Sequence, residues 1–176
     1  MKSLKGFIVG IVLVFSIGVV VFLGLSLYAY SNLKYYSVYY AQQMPHKEGT
    51  EPDLVMLIEN MGSIYTPKIE GIRYDDDGRN FIENSTNLTG KPTNFDEFVG
   101  GYGYSDQNDV TYKFNKNFEL EWAIDKDYKK IDLATVDEKK IKEEIRETVQ
   151  PVLDVQSKPL INLQWLFNKM YQDRFN

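Results

Sequence analysis

The chain holds one histidine, His46, and 25 carboxylates, so any acid–base or metal chemistry has to be built from these. Cysteine is absent, which removes thiolate metal sites, thiol nucleophiles and disulfides together. A hydrolytic triad or a zinc centre would need His46 in a cleft with partners at defined distances. Its place beside Pro45, with no partner motif around it, reads instead as a solvated turn residue. Asp75-Asp76-Asp77-Gly78 invites a calcium reading, since an EF-hand loop needs acids at its first, third and fifth positions, Gly at the sixth and Glu at the twelfth. With Gly78 in the sixth place, Arg73 occupies the first and Asn84 the twelfth, so the match fails at both ends. Glu70, Asp96, Glu97, Glu119 and Glu121 are candidates for a glycoside-hydrolysing carboxylate pair. That chemistry also needs a cleft and a raised carboxyl pKa, and in so acidic a chain two neighbouring acids are no signal. No catalytic, cofactor-binding or metal-ligating set is assigned.

Gly100-Gly101-Tyr102-Gly103-Tyr104 lacks the glycine spacing, the following helix and the lysine of a phosphate loop. Gly100 to Asp109 reads as a flexible loop, either a plain connection or, since tyrosine offers large contact area at low entropic cost, a protein-binding tip. The expected contact residues are Tyr102, Tyr104, Asp106, Tyr112, Glu119 and Glu121. Sequons at Asn84 and Asn87 mark a polar surface loop.

These residues are positioned by a chain of two unequal parts. Phe7 to Tyr30 is 24 residues without a charge. At about 1.5 Å per residue it covers roughly 36 Å, enough to span a hydrocarbon core of about 30 Å. Ala29 and Ser31 resemble a signal-peptidase site before Asn32, but the apolar core exceeds the roughly 7–15 residues of a signal peptide. Retention as a single-pass anchor is therefore expected. Lys2 and Lys5 put residues 1–6 in the cytoplasm by the positive-inside rule, and the remainder outside the cell membrane. Tyr28, Tyr30, Tyr35, Tyr36, Tyr39 and Tyr40 form the expected interfacial belt.

Of the 20 basic residues only Lys2 and Lys5 precede the apolar block, while all 25 acids follow it, so the outer part carries 18 bases against 25 acids, a net −7. Such a surface repels nucleic acid and favours a basic protein partner. Neither nucleic acid nor a small-molecule cofactor is expected.

Residues 31–49 read as a juxtamembrane helical extension and turn, and residues 50–176 as one extracytoplasmic α+β domain with an antiparallel sheet packed by helices. A helix opens at Thr50, with Leu54, Leu57, Ile58 and Met61 on one face. Strands are expected at Ile64–Tyr74 and Arg79–Glu83 around an Asp-Gly turn, and at Val110–Phe114 and Phe118–Ile124 around Asn115-Lys116-Asn117. Residues 94–99 are expected to form one helical turn. A capping box at Thr135 and Glu138 opens a helix that buries Ile141, Ile145 and Val149 and ends at Pro151. Ser157 caps a last helix with Leu160, Leu163, Phe167 and Met170 inward. No internal repeat is evident.

In layout and charge the chain resembles bacterial immunity proteins that neutralise secreted toxins and accessory subunits of secretion systems. The expected function is a membrane-anchored, non-catalytic protein-binding domain of the cell envelope. Lys5-Gly6-Phe7, an unbroken apolar helix and an α+β head also resemble type IV pilin-like filament subunits. That resemblance implies cleavage between Gly6 and Phe7, although Ile11 stands where the family usually has glutamate. An envelope hydrolase with an unrecognised carboxylate site is the third reading.

Overall fold

A computed structural model describes residues 2–70, 72–75, 81–84 and 101–176 of the 176-residue chain. Helix α1 (Lys2–Tyr35) is continuous for 34 residues. Phe7–Tyr35 is long and apolar enough to cross a membrane, and its most apolar stretch has no face buried against the rest of the chain. Phe15, Val14, Val20 and Phe22 all point outward. Burial of such a side chain stabilises by about 1.5–3 kcal/mol, so this stretch needs an apolar surrounding that the head does not supply.

Past Asn32 the helix becomes part of the head. Asn32 and Leu33 are buried, the chain bends at Tyr36, and α2 (Ser37–Gln42) buries Val38, Tyr40 and Ala41. Helix α3 (Pro52–Glu59) has Pro52 in its first turn, where the missing N–H costs nothing. One apolar face was expected. In fact every residue from Pro52 to Ile58 is buried, because α3 packs on α2 and also meets α4, with Asp53 as its one buried charge.

Among the described residues the sheet has five strands in chain order: β1 (Ile72–Asp75), β2 (Phe81–Asn84), β3 (Tyr102–Ser105), β4 (Thr111–Phe114) and β5 (Leu120–Ile124). It is not antiparallel throughout. β1–β2 and β3–β4–β5 are antiparallel pairs, but β2 and β3 run parallel, Ile82 opposite Tyr104. A parallel pair needs a crossover of about a dozen residues, and the stretch from 85 to 101 is long enough for one. Most of that stretch lies outside the described residues, as do residues 76–80 of the Asp-Gly turn and the helical turn expected at 94–99. The long strand expected from Ile64 shrinks to Ile72–Asp75, consistent with Pro67 lacking a ladder donor.

The segment Gly100 to Asp109 was expected to be a loop, yet Tyr102–Ser105 is a strand buried along its whole length. Burial on both sides removes the alternation by which a strand is recognised. The apolar face of β5 switches partway along: Leu120, opposite Phe114, packs on the core as expected, but Trp122 does not share its face. A register irregularity between Lys113 and Phe114 sets Ala123 opposite Tyr112 and Trp122 opposite Lys113, so Ala123 is the buried residue of the strand.

Three turns share one geometry. Asp106, Asn115 and Asp125 each accept from the backbone N–H two and four residues on, at 2.8–3.1 Å. The fourth residue of each, Asp109, Phe118 and Tyr128, has φ of 61–62°. Left-handed backbone costs a residue with a Cβ roughly 1–2 kcal/mol. Phe118 is fully buried on Phe114, ring centroids 4.8 Å apart, which offsets that strain and explains why β5 begins at Leu120 rather than Phe118.

Helix α4 (Glu138–Asp154) starts from Asp137, whose carboxylate accepts from Lys140 N at 3.1 Å, and a 3₁₀ turn, Leu133–Thr135, occupies the place expected for the cap. Ile141, Ile145 and Val149 are buried as expected, with Val152 and Leu153. Pro151 does not end the helix but lies inside it. Helix α5 (Gln164–Phe175) has no side-chain cap and begins beyond Ser157. Its inward residues repeat every four, Leu163, Phe167, Tyr171 and Phe175, while Leu160 and Met170 are exposed.

Pro151 is exposed and withdraws one i→i−4 hydrogen bond from α4. Pro151→Ala should raise stability by about 1–3 kcal/mol, read from the denaturant midpoint at unchanged m-value. No gain would mean that packing of Val152 and Leu153, not the backbone, sets the helix there.

Candidate functional site

Charged side chains gather where the C-terminal end of α5 meets the loop between α2 and α3. Lys47 N donates to Phe175 O at 2.8 Å and closes the loop on the helix. Gly49, at φ 86°, makes the turn that leads to Glu51, itself left-handed at φ 45°. Arg146 of α4 holds Glu51 there. Its guanidinium donates to both Asp53 oxygens, at 2.8 and 2.9 Å, and to Glu51 Oε2. Asp53 has a low exposure of 8%, so this fork compensates a carboxylate taken out of water. The hydrogen bond that Arg146 donates to Asp53 leads the causes that raise the Arg146 pKa, against the opposing effect of burial.

Two clefts flank Glu48 and Gly49. The larger, of about 420 Å³, is walled by Glu48, Glu51, Glu138, Lys142, Glu143 and Arg146, with Lys139 at its edge. Its charges are partly paired, Lys142 with Glu138 at 2.8 Å and Lys139 with Glu143 at 3.9 Å. The smaller, of about 230 Å³, lies against Lys47, Asn117, Glu119 and Arg174. Below it, Arg174 grips Glu59 at 2.9 and 3.0 Å and donates to the Tyr102 hydroxyl at 2.6 Å, while Tyr102 donates to Glu59 at 2.8 Å. Burial, then Glu59, pushes the Tyr102 pKa up, so the phenol stays protonated and continues to donate.

The residues expected to meet a partner therefore separate into two groups. Tyr102, Tyr104, Tyr112 and Asp106 are buried. Tyr104 donates to Glu144 at 2.8 Å and Tyr112 to Asp106 at 3.3 Å, so these tyrosines brace the sheet against α4 and the 106–110 turn. Glu119 and Glu121 are exposed. Glu119 accepts from Asn115 Nδ2 at 2.8 Å and borders the smaller cleft, whereas Glu121 is drawn to the buried ammonium of Lys113 at 3.1 Å. His46 is exposed, its Nδ1 2.9 Å from Met44 O. Glu70 is exposed, and Asp76, Asp77, Asp96 and Glu97 lie outside the described residues. Among the described residues no group of three or more His, Asp or Glu side chains converges as a metal site.

The sequence concealed Arg146, Asp53, Glu51, Arg174 and Glu59, because their pairs join positions 93 to 115 apart. It also concealed Tyr128. Its turn pattern, Asp125-Lys126-Asp127-Tyr128, repeats that of Asn115-Lys116-Asn117-Phe118, the signal that would have found it. Tyr128 stands exposed at its turn, where Phe118 is buried.

Arg146→Ala should cost about 2–4 kcal/mol, less than the loss of a fully buried pair because Arg146 is 37% exposed. Arg146→Lys should recover only part of this, since an ammonium cannot reproduce the two-pronged contact. Thermal melting of the three proteins checks the order.

No family model matches this chain, and no curated protein or solved structure matches it either.

Proposed function

We propose that this chain is a membrane-anchored, non-catalytic binding domain, N-terminus in the cytoplasm and head outside it, that holds a basic protein partner in the bacterial cell envelope. The observation that carries the reading is the charged surface around Glu48. The larger cleft is walled by charged side chains apart from Gly49, several already paired, and the smaller sets Lys47, Glu48, Glu119 and Arg174 among uncharged neighbours, which suits exchange of salt bridges with a protein surface better than capture of an apolar ligand. The net −7 of the outer part selects a cationic partner. Tyr128 adds an exposed aromatic of the kind enriched at interfaces.

Anchoring is supported by the unpartnered apolar length of α1 and by its union with the head. Cleavage before Asn32 would put a new ammonium on a residue buried to 5% exposure. The roles that fit are neutralisation of a secreted toxin and service as an accessory subunit of a secretion system.

Glu48→Lys and Glu119→Lys alter exposed side chains and should leave melting unchanged. The native chain, captured from detergent-solubilised membranes, should bring down a protein that both variants together lose and that rising salt releases. Recovery of the same partner by the double variant would refute the charged face as the contact.

A second reading, the pilin-like filament subunit, draws on the unbroken run of α1 from Lys2 into the head. The intact mass of the mature protein separates the two. The anchor reading expects a chain that retains Lys2 to Gly6, and the filament reading one that begins at Phe7.

A further inference from the structure

We propose that the segment from Lys158 to Trp165 is a second membrane contact, inserting Leu160, Ile161 and Trp165 into the bilayer interface beside α1. The inference rests on the anchoring reading and adds to it a lipid-facing surface on the head. Leu160 is 99% exposed, Ile161 54% and Trp165 65%, so three large apolar side chains within six residues have no cover from the chain. Pro159 is buried, and the segment is held firmly. Leu163 N donates to the Tyr40 hydroxyl at 3.0 Å and Gln164 Nε2 to Tyr40 O at 2.8 Å. The exposure therefore belongs to a fixed display.

Its height above the membrane follows from α1. The uncharged run from Phe7 to Tyr30 covers roughly 36 Å, against about 30 Å of hydrocarbon and 40–45 Å with headgroups. Asn32 comes two residues later, about 3 Å further on, and so falls within the headgroup layer. Asn32 Nδ2 donates to Ile161 O at 3.3 Å, and the Tyr40 hydroxyl lies 3.4 Å from the same oxygen. Ile161 thus sits at the level of Asn32, whose Nδ2 also donates to the Tyr28 hydroxyl at 3.4 Å, and Tyr28 and Tyr30 are exposed on the last turns of the apolar run. Trp and Tyr concentrate at that depth. Lys34, 5.0 Å over the Tyr30 ring, and the exposed Lys158 supply cations that reach the phosphates while their stems stay in the apolar layer. The occupant is the lipid interface, because the display is continuous with the helix that enters it.

The chain has no cysteine, so Leu160→Cys provides one labelling position. The full chain carrying a nitroxide there is placed in phosphatidylcholine vesicles, with Lys126→Cys, on the exposed 125–129 turn, as the aqueous reference. The label at 160 should be relaxed more by oxygen than by a water-soluble nickel chelate, and the label at 126 the reverse. A label at 160 as open to nickel as that at 126, on protein that floats with the vesicles, overturns the loop contact and leaves the anchor standing. Protein that does not float overturns both.

Discussion

The Tyr40 hydroxyl ties the two ends of the chain together. It donates to Asn32 Oδ1 at 2.7 Å and accepts from Leu163 N at 3.0 Å, on a side chain with no exposed surface. Burial, its leading cause, raises the Tyr40 pKa and keeps the proton that the Asn32 contact needs. Each buried group in this cluster would cost roughly 1–3 kcal/mol if left without its partner, so the group is satisfied together or not at all. Through it the end of α1, the start of α2 and the start of α5 are one rigid joint. In the proposed setting the head cannot swing on its anchor, and every surface keeps a set height above the bilayer.

Away from that joint the polar ties carry charge. Arg146 links α4 to the start of α3, and Arg174 links α5 to its end and to β3. Helix α3 supplies a buried apolar surface and also a carboxylate at each end, Asp53 and Glu59. The arginines therefore dock α4 and α5 on the helix that both must cover. Arg146, Glu51 and Arg174 are both cleft walls and supports of the core, which gives the charged face a defined shape instead of a solvated fringe. Asp53, Glu59 and Asp106 are committed to contacts within the head, and under the proposed reading the partner would meet Glu48, Glu119, Glu143 and the turn at Tyr128.

Some elements were legible because their information is local. The 24 uncharged residues of α1, the i, i+4 stripe of α4 and the Asn115 turn depend on neighbours within a few positions. The α+β class followed from them. The parallel β2–β3 pair was hidden, since strand direction depends on a crossover and not on either strand's residues. β3 was mistaken for a loop because Gly103 and Ser105 suit a strand covered on both sides and break the alternation. The repeated turns escaped notice because Asp109, Phe118 and Tyr128 hold positions where glycine would have advertised a positive φ.

The sequence by itself determined that one helix needs an apolar surrounding, that the part of the chain after it is acidic, and that no cysteine or histidine cluster directs its chemistry. These are properties of composition and short-range order. Only the tertiary structure decided which charges face solvent, turning Tyr102, Tyr104 and Tyr112 into core struts and exposing Leu160, Trp165 and Tyr128. Exposure is set by what packs against a residue from far along the chain. Residues 32 and 161, 129 positions apart, meet only because the chain between them folds.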